Sequence, residues 1–110
     1  MKMPLTRSFR ESVMEELRDK DYRRAFLREA IKDMLAGDLD SAKMVLREYV
    51  NGTVGFVNLG EALGRSPKSL MRMLSQEGNP HARNLLELVA YLQKADGAVA
   101  EVQICDAAAA

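Results

Sequence analysis

Apolar positions in the first half of the chain recur at helical spacing. Phe9, Val13 and Leu17 fall every four residues. Phe26, Leu27, Ala30, Ile31, Met34 and Leu35 then give the i, i+3, i+4 stripe of an amphipathic helix. Gly37 follows as its C-terminal stop, and Asp38 or Asp40 caps the next helix. That helix carries Leu39, Ala42, Val45, Leu46 and Tyr49 on one face, and Asn51-Gly52 ends it. Helices are therefore expected over 9–51.

The second half is cut into shorter pieces. Phe56 to Leu63 forms a short helix that ends at Gly64. Ser66 is a capping side chain, and Pro67 suits a first helical position, where no N–H is needed. The helix they open runs to about Ser75, and Glu77-Gly78 breaks the chain after it. Asn79-Pro80 repeats the cap-plus-proline device and starts a helix over 79–94, with Leu85, Leu88, Val89 and Leu92 on its core face. Ala98, Ala100, Val102 and Ile104 alternate, which predicts a short strand over 98–104 and a frayed tail over 105–110. A strand needs a partner, and the simplest is the same segment of a second copy or a strand of a partner protein. The fold class expected is all-α, with about five or six helices in one domain over 1–110 and a short C-terminal β-strand.

Composition narrows the function. The chain has 110 residues, one cysteine and one histidine, so Cys105 has no internal disulfide partner and His81 cannot build a zinc site. No cofactor or metal is expected. Met1 to Arg7 leads into no apolar run, and no segment reaches the roughly 18 apolar residues of a membrane span. A cytoplasmic setting with no membrane partner follows. Sixteen Lys and Arg balance sixteen Asp and Glu, which excludes a globally basic nucleic-acid coat. The charges of the first 50 residues mix both signs and read as a solvated face. Between Arg65 and Asn84 the balance changes: Arg65, Lys68, Arg72 and Arg83 face only Glu77.

That local basic surface coincides with a helix-turn-helix pattern over 56–75. Leu59 and Leu63 anchor a first helix, Gly60 permits a close crossing, and Gly64 tolerates the positive φ of a sharp turn. Leu70, Met73 and Leu74 are the inner face of the second helix. Its outer face is Lys68, Ser69, Arg72 and the less polar Met71. Arg72 can grip guanine O6 and N7 with two hydrogen bonds, Lys68 can reach guanine or phosphate, and Pro67 offers an apolar contact to a thymine methyl. Ser66 and Ser69 can donate to phosphate. Asn79, His81 and Arg83 set a helix N-terminus beside the same surface.

Leu59-Gly60-Glu61-Ala62-Leu63-Gly64 with Ser66, Ser69-Leu70 and Arg72 resembles the motif of Xre/Cro-type regulators, which have a lambda-repressor-like helix-turn-helix fold. Ser75-Gln76-Glu77-Gly78-Asn79-Pro80 after Leu74 narrows the resemblance to the HigA-like addiction-module antidote branch, and Leu17-Arg18-Asp19, Tyr22, Ala25, Leu27 and Ala30 extend it upstream. The resemblance implies a dimeric autorepressor that reads a palindromic operator in double-stranded DNA and neutralises a RelE/HigB-like toxin. It implies base reading by Lys68, Ser69 and Arg72, with Ser66 nearby on the backbone. Where such proteins carry a polar pair near the start of the first motif helix, this chain has Phe56-Val57-Asn58, leaving Asn58 as the phosphate candidate there. Arg65 stands where an apolar residue is usual, its stem packing and its head reaching solvent or phosphate. The competing reading is a helical protein-interaction module that keeps the motif only as packing. Nothing in the chain assembles a phosphate loop, a metal cluster or a Ser/His/Asp set, so an enzyme is not expected.

Overall fold

Six α-helices follow one another in the computed structural model, which describes residues 7–109: α1 Arg7–Glu16, α2 Lys20–Leu35, α3 Leu39–Gly52, α4 Gly55–Leu63, α5 Pro67–Met73 and α6 Ala82–Ala95. The expectations for the first six residues and for Ala110 lie outside the described residues. Local chemistry sets the breaks. Asp19 accepts the Tyr22 N–H at 2.9 Å and opens α2. Asp38 accepts the Ser41 N–H at 3.1 Å and opens α3, which makes Asp38 the cap and leaves Asp40 on the exposed first turn.

α3 is the central element, packing against α1, α2 and α4. Leu46, Tyr49 and Val50 are fully buried, and around them lie Leu17 of α1, Leu27 and Ala30 of α2, Leu59 of α4, Leu70 of α5, and Leu88 and Leu92 of α6. The apolar stripes enter this core only along their middles. Phe9 near the start of α1 and Leu35 at the last residue of α2 are 43% and 73% exposed.

Three boundaries differ from the sequence pattern. α3 continues through Asn51-Gly52 and ends at Thr53, whose hydroxyl donates to the Tyr49 carbonyl at 2.7 Å. Gly52 serves contact rather than termination, because a Cβ there would overlap the Leu17 side chain. α6 begins at Ala82, not at Asn79-Pro80; Asn79, Pro80 and His81 are non-helical, and His81 takes the N-cap position with extended backbone. A residue before proline is pushed away from helical backbone, which favours the extended course at Asn79. The strand expected over 98–104 is not formed. The segment has no ladder, because the described residues offer no second strand, and Val99, Val102 and Ile104 stand 80%, 69% and 91% exposed. A 3₁₀ turn over Ala107–Ala109 replaces part of the frayed tail. Among the described residues no helix is long and apolar enough to cross a membrane.

Charge joins the first turn of α2 to the end of α6. The buried Asp96 carboxylate takes Arg23 Nε at 2.5 Å and Arg24 Nε at 2.8 Å, and Arg24 Nη2 also donates to the Asp96 carbonyl at 3.0 Å. Burial alone would raise the Asp96 pKa; hydrogen bonds and charge from Arg24 and Arg23 outweigh it and hold the carboxyl below its ordinary value. Tyr49 nearby is pushed up to about 12, by burial first and then by the Asp96 charge, with Arg23 and Arg24 opposing.

Asp96→Asn should therefore destabilise the protein by about 2–3 kcal/mol at pH 7, measured by urea denaturation. A depressed carboxyl pKa stabilises the fold above its unfolded value and loses that contribution as pH falls through the folded value. The difference between wild type and Asp96→Asn should thus be full at neutral pH and shrink below the ordinary value of 3.8. A gap that stays constant from pH 7 to pH 2.5, roughly, would contradict the clamp.

Candidate nucleic-acid interface

α4 and α5 are joined by the tight turn Gly64-Arg65-Ser66, and each turn residue is there for a physical reason. Gly64 has φ +67°, the left-handed conformation that closes α4, and the Arg65 N–H returns to the Gly60 carbonyl at 2.9 Å. A Cβ on Gly60 would lie 2.5 Å from the Arg65 carbonyl oxygen, so only glycine lets α4 approach the turn this closely. Ser66 is extended, its Oγ accepts the Ser69 N–H at 3.1 Å, and Pro67 occupies the first helical position. The Ser66 hydroxyl still has its own hydrogen to donate outward.

The inner side of α5 is Leu70 and Leu74, both buried, with Met73 half-buried. The outer side is Lys68, Ser69, Met71 and Arg72, all exposed. Pro67 is half-buried. The remaining candidates surround this face. Arg65, Ser66, Asn79, His81 and Arg83 are exposed. Arg65 Nη2 donates to Asn84 Oδ1 of α6 at 2.6 Å, so its head is drawn toward α6. Asn58 is exposed, but its amide donates to the Val54 carbonyl at 2.9 Å within its own helix turn, which occupies its nitrogen. A groove of about 610 Å³ runs between the two parts of the surface, lined by Ser69, Arg72 and Met73 on one side and Asn79, His81 and Asn84 on the other. α6 starts at its edge with no side-chain cap, which leaves first-turn N–H groups available to an anion.

Two residues that hold this face belong to the mixed charges that the sequence pattern places on a solvated face. Lys43 of α3 is 3% exposed, and its Nζ donates to the carbonyls of Gln76 at 3.2 Å and Gly78 at 2.5 Å. Arg47, one turn on, donates from Nη1 to the Leu74 carbonyl at 2.6 Å. Together they tie α3 to the end of α5 and the turn after it. Gly78 completes the joint, since a Cβ there would overlap the carbonyls of Arg72 and Met73. The Ser75 hydroxyl donates to the Arg72 carbonyl at 2.7 Å. Lys43 and Arg47 flank the apolar stripe Ala42, Leu46, Tyr49, and that flanking position one turn apart is the sequence signal that points to them. Among the described residues no cluster of three His, Cys, Asp or Glu is placed to hold a metal ion.

Lys43→Met keeps the stem of Lys43 and removes its donors, leaving two turn carbonyls short of a partner. The expected loss is about 1–3 kcal/mol of stability, with faster amide exchange at Gly78, whose N–H bonds to the Ser75 carbonyl at 3.0 Å. Unchanged exchange there would show that the turn holds itself. The chain matches no protein-family model, no curated protein and no solved structure.

Proposed function

We propose that α4 and α5 form a lambda-repressor-like helix-turn-helix that binds double-stranded DNA sequence-specifically, with α5 as the recognition helix. The observation that carries the reading is the exposed outer face of α5. Lys68, Ser69 and Arg72 point away from the core on a short helix fixed at both ends, and neither Lys68 nor Arg72 has an ion-pair partner among the described residues. A helix anchored in this way can enter a major groove without first losing the entropy of ordering itself.

The roles follow from reach and chemistry. Arg72 reads guanine through its two-pronged guanidinium, Lys68 reads guanine or phosphate, and Ser69 and Pro67 touch the neighbouring edge. Ser66, Arg83 and the open start of α6 with Asn79 and His81 grip the backbone. Arg65 contributes through the guanidinium nitrogens that Asn84 leaves available. Asn58 is the weakest of the phosphate candidates, because its amide nitrogen is already engaged. Two copies, with recognition helices about 34 Å apart, would read a palindromic operator. By its resemblance to the HigA-like branch, the protein is a cytoplasmic autorepressor that also neutralises a RelE/HigB-like toxin. No catalytic step and no cofactor belong to this function.

Binding to the chain's own upstream promoter DNA, against scrambled DNA at two salt concentrations, tests the reading. Arg72→Ala should cost about 1–3 kcal/mol of affinity for the promoter and relax preference at one base pair. Lys68→Ala, if Lys68 sits on phosphate, should weaken binding to all sequences and lower the salt slope by about one. Equal, salt-sensitive binding to both DNAs would reduce the interface to unspecific phosphate attraction. Absence of binding to either would favour the interaction-module reading.

A further inference from the structure

A second surface lies at the C-terminal end of α6. The chain leaves α6 through Gly97, and its root is fixed: the Ala98 N–H returns to the Gln93 carbonyl at 2.9 Å, and the Ala100 N–H donates to Gln93 Oε1 at 2.7 Å. From Glu101 to Asp106 no hydrogen bond ties the described chain to the six helices, and Glu101, Val102 and Gln103 lie beside α2. Between this segment and α2 is a groove of about 830 Å³. Leu27, Ile31 and Leu35 of α2 recur along it every fourth residue, and so do Arg24, Arg28 and Lys32. Arg24 is already bound to Asp96. Arg28 and Lys32 are exposed and carry no ion pair among the described residues, while Glu101 supplies the one acidic side chain of the groove lining.

The 101–106 segment has the matching composition. Val102 and Ile104 are alternate positions of the run and are 69% and 91% exposed, and Glu101 and Asp106 flank them in sequence. One groove with an apolar floor and two uncommitted cations therefore lies beside a segment carrying apolar side chains and two uncommitted carboxylates. We propose that this groove is a homodimer interface, filled by the 101–106 segment of a second copy. The contact is isologous: each segment lies in the other copy's groove, so one two-fold axis satisfies both at once. Val102 and Ile104 cover Ile31 and Leu35, and Glu101 and Asp106 meet Arg28 and Lys32. The inference deepens the dimeric reading above and rests on it only for what the dimer does.

Sedimentation equilibrium of the full chain tests it, because the substituted positions are exposed and the fold does not depend on them. Wild type should be dimeric at micromolar concentration. Ile104→Lys should shift it to monomer with an unchanged circular dichroism spectrum. Arg28→Glu should weaken the dimer by about tenfold, and adding Glu101→Arg should restore it, since the pair is reversed rather than removed. A wild type that stays monomeric at about 100 μM, roughly the weak limit for a useful dimer, would overturn the proposal. So would a dimer indifferent to Ile104→Lys and Arg28→Glu, because it would form through another face. DNA binding is read separately. A dimer that ignores promoter DNA removes the regulatory reading and leaves the interface, whereas a monomer that binds through Arg72 does the reverse.

Discussion

The carbonyl groups released where α5 ends set the main constraint on this fold. The chain must turn sharply from Met73 to reach α6, and a turn of that kind leaves backbone oxygens without helical partners. Buried oxygens of this kind need donors. α3 provides them through Lys43 and Arg47, side chains that would otherwise belong in water. An ammonium that is 3% exposed is tolerable only when its donors are used, and Gln76 and Gly78 take two of the three, with Asp40 3.7 Å away. The arrangement orients α5 from the centre of the core, because α3 is the element on which α1, α2 and α4 pack. The outward face of α5 is thus placed by a buried joint and not by its own short hydrogen-bond ladder.

A second joint, Asp96 with Arg23 and Arg24, fixes the far end of α6 to the start of α2. α6 is then held at both ends, by this clamp and by the Arg65–Asn84 bond near its first turn. Glu48 shows where the electrostatics are least satisfied. It is 4% exposed and 3.9 Å from both Arg10 and Arg47, yet its Oε2 receives no hydrogen bond. Arg47 is shared between this carboxylate and the Leu74 carbonyl, so the charge of Glu48 helps hold a guanidinium that serves the end of α5.

Features encoded within a few residues were legible in the sequence. Gly64 closes α4 and Ser66-Pro67 opens α5, as their side chains dictate, and Leu85, Leu88, Val89 and Leu92 form the core face of α6. The same local signs misled where a distant contact decided. Asn79-Pro80 looks like Ser66-Pro67, but Gly78 is packed against the carbonyls of Arg72 and Met73, and the chain leaves that joint extended before it can coil. Alternation from Ala98 to Ile104 records two unlike sides of an extended chain; whether a ladder forms depends on a partner that no single copy contains. Lys43 escaped notice for a related reason. A lysine beside an apolar stripe is usually solvated, and only the three-dimensional approach of the 75–78 turn makes it buried. The placement of the outer face was readable because its residues are defined by what they do not touch.

A chain without net charge can still present a locally cationic face, where some of its other cations are engaged internally. Arg23, Arg24, Lys43 and Arg47 are used on Asp96, on turn carbonyls and on Glu48, and Arg10 also lies near Glu48. These are cations of α1, α2 and α3 spent on structure. Lys68, Arg72 and Arg83 have no such partners among the described residues, so they form one group of uncommitted cations on α5 and the start of α6, separate from Arg28 and Lys32 on α2. Grouping matters for selectivity. A globally basic protein is held by any polyanion, whereas a few cations around one helix supply only weak sequence-independent attraction. Under the proposed function, discrimination would come from the side chains that reach base edges, and from repeating them. If two copies meet through α2 and the 101–106 segment, the cations of α5 remain outside that contact, and pairing doubles the reading surface without covering it.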